Sequence, residues 1–270
     1  MLGNRLRTLV SGLDHPEGVC WCPNAGQVYA GGEAGQLYRF GVEGGEAELV
    51  TTVPGGFLLG LAVDADGDVF ACDPPHGHVQ RITAGGGFEQ YGERMELPNY
   101  PAFDAEGNLW VSDSGAWDEP TGRLWRVAPG GDTELAGDGF RYSNGLAVRG
   151  EHLYMVESRL PGVVRIPLAG GPKEVIVELP RTVPDGIAFD AHGGLWISYY
   201  EPHRVSRLHP SGELETVVDD WTGEYVTSPT NVAFSGPDLD VLVLASLSGW
   251  AVRAIDPGVA GQPLHRPRFD

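Results

Sequence analysis

Six residues occupy equivalent sequence positions, and the polar ones among them could together bind a cation. Each precedes a short apolar run, and the runs recur about 40 residues apart. In chain order the six residues are Glu17, Leu59, Asn99, Asn144, Asp185 and Thr230. Five of them offer carboxylate, amide or hydroxyl oxygens, which suit Ca²⁺, Mg²⁺ or Mn²⁺ better than a structural zinc. Two carboxylates brought together would repel, and one would take up a proton, unless a cation lay between them. The set therefore predicts a divalent-cation site.

A simpler interpretation is that some of these residues form turns. Asn144 and Asp185 are each followed by glycine, and Asn-Gly and Asp-Gly are favoured turn pairs. Pro184 precedes Asp185, and Pro, Asp and Gly commonly separate strands. Turn formation explains Glu17 poorly, because glutamate is not a turn former. Turns stay open for the individual residues, whereas the set as a whole favours the cation site.

The elements that would position these residues are β-strands in repeated units. Each unit has an apolar run such as "GIAF", a D-x-x-G turn, and a strand such as "GLWISY". A strand such as "RVSRL" and a more polar strand such as "LETVVDD" follow. Short runs rich in Val, Leu, Ile and Trp between turn signals indicate strands. Four strands in about 40 residues are typical of a propeller blade.

The predicted fold is an all-β, six-bladed β-propeller with four-stranded antiparallel blades, as a single domain over residues 1–270. The sixth unit ends after its third strand, at Ile255. Residues 5–12, "RLRTLVSG", are similar to the other fourth strands and are predicted to complete that blade. Such closure hides the sheet edges. The first strand of each blade lines the central channel, so the six residues would converge at its mouth.

Charge and cysteine content narrow the class of partner. The formal net charge is −19, from 37 acidic and 18 basic residues. This surface repels phosphate backbones and anionic lipid, so we expect a small-molecule substrate and neither nucleic acid nor membrane. The chain shows no run typical of a signal peptide or a membrane span. Its three cysteines suit reduced thiols, and Cys20 and Cys22 are expected to be buried. We therefore expect a cytoplasmic protein, with its oligomeric state left open.

Four motifs, taken in order, resemble those of a known enzyme family. They are "HPEGVCW" with Glu17, "PNYPAFDAEGNLWVSD" with Asn99, "YSNGLAV" with Asn144 and "PDGIAFDAHGGLWIS" with Asp185. From about Leu13 to Ile255 the chain resembles the senescence marker protein, gluconolactonase and luciferin-regenerating enzyme family. The resemblance implies a six-bladed propeller that hydrolyses sugar lactones or related esters. It also implies that Glu17, Asn144 and Asp185 bind one divalent metal ion, and that Asn99 holds substrate or a water on the metal. Calcium is the expected ion, with zinc, manganese and magnesium as alternatives.

The same resemblance suggests a mechanism. The metal would polarise the lactone carbonyl and stabilise the oxyanion that develops on attack. Calcium lowers the pKa of water less than zinc does, so a base is needed. Asp185 is the candidate base as well as a ligand, and a purely ligating role is the alternative.

The residues expected to bind substrate depart from the family pattern. Relatives that act on sugar lactones carry an arginine where this chain has Leu97. Arg94 and Arg141 lie nearby in sequence, although solvated surface arginines are the simpler expectation. The loop "GAWDEPTGR" offers further candidate substrate-binding residues, which are Trp117, Asp118 and Glu119. Trp117 could form a wall for a less polar substrate or could pack under the loop.

Two other functions stay open. The chain could be a non-catalytic propeller that uses a metal structurally and binds a small molecule or a protein. It could also be a metal-free enzyme similar to strictosidine synthase, which "LYMVESRLPGVVRI" suggests. The candidate ligands Glu17, Asn144 and Asp185 argue against the metal-free enzyme. No G-x-S-x-G nucleophile motif supports a serine hydrolase.

Overall fold

The computed structural model describes residues 6–269, which form six four-stranded antiparallel sheets. The first strand is β1 (Leu6–Ser11). Blade 1 consists of β2 (Val19–Cys22), β3 (Gln27–Gly31), β4 (Gln36–Gly41) and β5 (Glu48–Thr52). Blade 2 consists of β6 (Leu61–Val63), β7 (Val69–Asp73), β8 (His78–Ile82) and β9 (Phe88–Tyr91). Blade 3 consists of β10 (Pro98–Phe103), β11 (Leu109–Asp113), β12 (Gly122–Val127) and β13 (Thr133–Phe140).

The second half of the chain repeats this arrangement. Blade 4 consists of β14 (Ser143–Arg149), β15 (His152–Glu157), β16 (Gly162–Pro167) and β17 (Glu174–Glu178). Blade 5 consists of β18 (Val183–Phe189), β19 (Leu195–Glu201), β20 (Arg204–Leu208) and β21 (Leu214–Asp219). Blade 6 consists of β22 (Pro229–Ser235), β23 (Val241–Ser246), β24 (Ala251–Ile255) and the N-terminal strand β1.

The six blades close into a ring. β1 pairs antiparallel with β24 and forms the outer strand of blade 6. Each inner strand contacts the inner strand of the next blade, and β22 of blade 6 contacts β2 of blade 1. The six-bladed propeller and its closure by the N-terminal strand are thereby confirmed. Arg5, the first residue of the predicted strand, lies outside the described residues, and the single domain over residues 1–270 stays a prediction.

Apolar clusters lie between successive blades and hold the ring together. Val243 and Val252 of blade 6 pack with Val28 and Phe40 of blade 1. Five further clusters join the other neighbouring pairs in the same way. Burial of apolar surface at each junction fixes the radial position of the inner strands. The residues at the channel mouth are therefore positioned by the whole ring.

The aspartate of the recurring D-x-x-G turn has a structural role. Asp104 and Asp190 are buried, and their carboxylates accept hydrogen bonds from the turn backbone. Asp104 Oδ2 also accepts from Trp110 Nε1 at 2.8 Å, and Asp190 Oδ2 accepts from Trp196 Nε1 at 3.1 Å. Burial alone would raise the pKa of Asp190. Hydrogen bonds from the turn backbone, Trp196 and Arg207 outweigh burial and hold that pKa below its usual value.

The C-terminal segment (residues 256–269) crosses the end of the channel opposite the mouth. Gln262 donates its backbone N–H to Phe189 O of blade 5 and its side-chain Nε2 to Val148 O of blade 4, both at 2.9 Å. Further along, Pro267 O accepts a hydrogen bond from the backbone N–H of Ala65 in blade 2 at 2.8 Å. Phe269 packs on Phe70, with ring centroids 5.6 Å apart. Nothing in the repeat pattern predicted this segment.

Two smaller predictions concern thiols and membrane spans. Cys20 and Cys22 are buried, as predicted, and Cys72 is buried as well; all three are free thiols. Within residues 6–269, no helix has the length and apolar character that crossing a membrane requires.

Candidate active site

Most of the six equivalent residues lie at irregularities of the inner strands. The register between first and second strands shifts around Asn99, Asn144, Asp185 and Thr230. A β-bulge changes the direction in which a side chain leaves the face of a sheet. Asp185 and Asn144 thus lie within β18 and β14, so the turn interpretation is wrong for both.

Neighbouring inner strands approach closely at the level of the six equivalent residues, which are called the mouth residues below. Gly60 N–H donates to Asn99 O at 2.9 Å, which joins blades 2 and 3. A Cβ added to Gly186 of blade 5 would lie 2.7 Å from Thr230 O of blade 6. Glycine occupies the position after the mouth residue in four blades, as Gly18, Gly60, Gly145 and Gly186. The absence of a Cβ there lets the mouth residues converge.

The side chain of Thr230 links blades 6 and 1 at the channel mouth. Its hydroxyl Oγ1 donates to Glu17 O at 2.8 Å, which joins blade 6 to blade 1. The hydroxyl is therefore engaged in holding the backbone of Glu17. Among the six equivalent residues, Glu17, Asn99, Asn144 and Asp185 are the buried ones with carboxylate or amide side chains.

Glu17 and Asp185 form a buried pair of carboxyl groups. Glu17 is 6% exposed and Asp185 is 7% exposed. Burial raises the pKa of Glu17 well above its usual value, and the charge of Asp185 raises it further. Burial raises the pKa of Asp185 to about 8, and the neighbouring Asn144 amide offsets part of this effect. The pair is electrostatically unfavourable unless it holds a proton or a cation.

Ser158 orients the amide of Asn144. Ser158 Oγ donates to Pro184 O at 2.7 Å and accepts from Asn144 Nδ2 at 3.2 Å. The amide nitrogen is thus fixed, and its oxygen is left free to act as a ligand. Among the described residues, no group forms a hydrogen bond with the buried atoms Asn144 Oδ1 or Glu17 Oε2. These atoms have the hard-ligand character that a divalent cation requires.

Three side chains beside the carboxyl pair of Glu17 and Asp185, those of Trp117, Tyr142 and Arg159, are called here the aromatic wall. Trp117, from the loop between β11 and β12, packs edge-on against Tyr142, with ring centroids 4.7 Å apart. The backbone N–H of Ser158 donates to Tyr142 O at 3.0 Å, which places Tyr142 next to the residue that orients Asn144. Burial raises the pKa of Tyr142, and the charges of Asp185 and Glu17 raise it further. Trp117 is 41% exposed and presents part of its ring to solvent.

The guanidinium group of Arg159 stacks on the ring of Trp117. Arg159 Cζ lies 5.0 Å from the centroid of Trp117, and Arg159 Nη2 lies 3.1 Å from Asp118 Oδ1. Arg159 directly follows Ser158, whose side chain orients Asn144. The stacked cation and its carboxylate partner hold the loop of Trp117 near the mouth.

The remaining predicted substrate-side residues are placed as follows. Glu119 is exposed in the same loop, and Arg94 and Arg141 are exposed. Leu97 is partly buried, and its backbone N–H donates to Asp113 Oδ1 at 2.7 Å.

Sequence reasoning missed Tyr142 and Arg159. Tyr142 stands two residues before Asn144, and that proximity was the available signal. Arg159 lies in a loop without a motif, and nothing in its sequence context indicated a contact with Trp117.

Comparison with known proteins identifies the class. Residues 89–248 match the family described as SMP-30/Gluconolactonase/LRE-like region. The match spans more than half of the chain, and the chain belongs to this family.

Individual relatives carry lactonase names. Pentonolactonase XacC of Haloferax volcanii is 29% identical over 248 residues, which cover 86% of this chain and 81% of the relative. The 6-deoxy-6-sulfogluconolactonase of Pseudomonas putida is 32% identical over 149 residues, 52% of this chain and 48% of the relative. The solved structure of regucalcin, a calcium-binding protein from Agrobacterium tumefaciens, has a TM-score of 0.79 at 18% identity. It covers 98% of this chain and 97% of its own, and at that identity it shows the shared fold. The predicted family is confirmed, and the named relatives bear out the prediction of a gluconolactonase-like enzyme.

Proposed function

We propose that this protein is a divalent-metal-dependent lactonase that hydrolyses a sugar-derived lactone or a related ester. The observation that supports this most strongly is the buried pair Glu17 and Asp185 at the channel mouth, in a chain of the gluconolactonase family. Such a pair needs a proton or a cation between its carboxyl groups, and its position at the convergence of six strands suits a small substrate.

Glu17, Asn144 and Asp185 are the proposed metal ligands. They offer hard oxygens, and two of these, Glu17 Oε2 and Asn144 Oδ1, have no hydrogen-bond partner within residues 6–269. Calcium is the proposed ion, consistent with the calcium-binding regucalcin of the same fold. When bound, a divalent cation polarises a carbonyl and stabilises negative charge that develops on its oxygen.

Asp185 is also the proposed base. Water adds to the carbonyl carbon, and its proton passes to the Asp185 carboxylate. The ring C–O bond then breaks, and the departing oxygen takes that proton back from Asp185 to become the hydroxyl of the product acid. Ser158 and Thr230 hold Asn144 and the Glu17 backbone, which keeps the site fixed during these steps.

The substrate is proposed to lie between the channel mouth and the aromatic wall. Asn99 offers a donor and an acceptor to the substrate from blade 3. Trp117 provides a flat apolar surface for the C–H face of the lactone ring. Asp118 and Glu119 are proposed further contacts, and Asp118 acts together with its partner Arg159.

A panel of pentono- and hexonolactones, assayed with and without chelator, tests the function. We expect hydrolysis of at least one lactone and a loss of about 100-fold or more in kcat when the metal is removed, with recovery on adding calcium. Hydrolysis that is indifferent to chelator would contradict the metal dependence. Failure to hydrolyse any member by the metal-loaded protein would contradict the sugar-lactone proposal.

A further inference from the structure

Just below the candidate active site, a hydrogen bond crosses the central channel. Tyr100 Oη donates to Asn231 Oδ1 at 3.3 Å, and both side chains are buried. Tyr100 lies on β10 of blade 3 and Asn231 on β22 of blade 6, blades that face each other across the ring. Each follows a mouth residue directly, Asn99 or Thr230. The pair therefore separates the mouth from the channel beneath it.

Beneath this pair lies a cavity of about 340 Å³, which we name the lower chamber. The inner strands of all six blades line it. At the position three residues after each mouth residue the chain has a small side chain: Cys20, Ala62, Ala102, Ala147, Ala188 and Ala233. Four of the alanines are only partly buried although they lie inside the ring. Their methyl groups therefore border open space, and larger side chains would fill it.

The wall that the six inner strands give the lower chamber is mostly apolar. Branched side chains from the inner strands complete it, including Leu61, Leu146, Ile187 and Val232. Burial raises the pKa of the Cys20 thiol, which keeps that group neutral. Among the described lining residues, Gln262, His265 and Arg266 bring amide, imidazole and guanidinium groups, and all three belong to the C-terminal segment. Water inside would find few hydrogen-bond partners, because such a molecule needs two or more polar groups.

The C-terminal segment forms the far wall and borders the entrance. Pro263 and Leu264 line the chamber, and Leu264 is 66% exposed. Pro23 and Pro237 line the chamber from the ends of blades 1 and 6. A molecule entering here would meet apolar surface from the rim inward, at the opposite end from Glu17 and Asp185.

We propose that the lower chamber is a second binding site, separate from the lactone site, for a small neutral apolar molecule. An apolar cavity of about 150 Å³ binds benzene. The larger volume of the lower chamber suits a ligand of about two aromatic rings. Closure by Tyr100 and Asn231 on one side and the C-terminal segment on the other shields such a ligand from water. Transfer from water into this apolar space supplies the binding free energy.

Titration with prodan, a neutral two-ring fluorophore whose emission shifts to the blue in apolar surroundings, tests the proposal. We expect saturable binding at one site per chain, with a blue shift that naphthalene reverses by competition. The double variant Ala62→Leu/Ala188→Leu fills the chamber from blades 2 and 5, which face each other. It should weaken prodan binding at least tenfold while retaining the melting temperature, because the new side chains enter open space.

The matched control is Ala105→Leu/Ala191→Leu, the same change at exposed turn positions of blades 3 and 5. It should bind prodan as the unmodified protein does. The proposal is overturned if the unmodified protein shows no saturable shift, or if the filled variant binds prodan as tightly as the control. Lactone hydrolysis is not part of this readout, so the outcome is independent of the proposed function.

Discussion

At the scale of single residues, Glu17 and Asp185 should make the metal-free protein sensitive to pH. The pKa of Asp185 rises to about 8 on folding, above an unfolded value of about 3.9. The folded state then binds more protons between these values, so stability should fall as pH rises from about 4 to 8. Carboxyl groups with a lowered pKa, such as Asp190, titrate below this window.

Melting temperatures of chelator-treated protein at pH 5 and pH 8 check this expectation. We expect a lower value at pH 8, a weaker pH dependence in Asp185→Asn, and recovery at pH 8 on adding calcium. The exposed Asp238→Asn serves as the control and should behave as the unmodified protein. Equal pH dependence in Asp185→Asn and the control would show that the buried pair is not the cause.

Trp117 should affect substrate binding more than the chemical step. Replacing Trp117 with alanine removes the exposed face of the aromatic wall, a contact worth about 0.5–1.5 kcal/mol. We expect KM for a hydrolysed lactone to rise about 3- to 10-fold, with kcat little changed. The matched control is Phe88→Ala, whose ring is exposed to a similar extent, 44% against 41%, on an outer strand. An unchanged KM in Trp117→Ala would remove this residue from the substrate site.

At the scale of elements, the glycines after the mouth residues determine how closely the inner strands approach. A Cβ on residue 186 would meet Thr230 O at 2.7 Å and Asn231 Cα at 2.8 Å, and backbone atoms cannot move aside cheaply. Gly186→Ala should therefore cost about 1–3 kcal/mol of unfolding free energy and weaken metal binding by displacing Asp185.

Denaturant unfolding and calcium titration measure these two effects. Gly85→Ala is the control, because a Cβ there would meet no atom closer than 4.0 Å. If Gly186→Ala matched the control in stability and calcium affinity, the close approach of strands would not be what positions Asp185.

Strand patterns were predictable because four short strand-forming runs, the fourth more polar than the others, repeat with their turns in every blade. The bulges at Asn144 and Asp185 were not, because Asn-Gly and Asp-Gly serve equally in turns and in irregular strands. The local sequence leaves both possibilities open. Contact with the neighbouring blade favours the irregular strand over the turn, as the close approach of Gly186 to Thr230 illustrates.

At the scale of the whole molecule, ring closure could be predicted from the missing fourth strand of blade 6. Convergence of Glu17, Asn144 and Asp185 followed from the repeat alone, although these residues are far apart in sequence. The contact between Arg159 and Trp117 could not be predicted, because loop side chains are placed by their surroundings. The C-terminal segment has no repeat pattern, so its path across the channel depends on the assembled ring.

The most direct test of the central claim is elemental analysis combined with calcium titration of the chelator-treated protein. One divalent ion per chain is predicted, with binding lost in Glu17→Gln and Asp185→Asn and retained in Asp238→Asn. Failure to bind calcium, zinc or manganese, or full binding by both pair variants, would contradict the account.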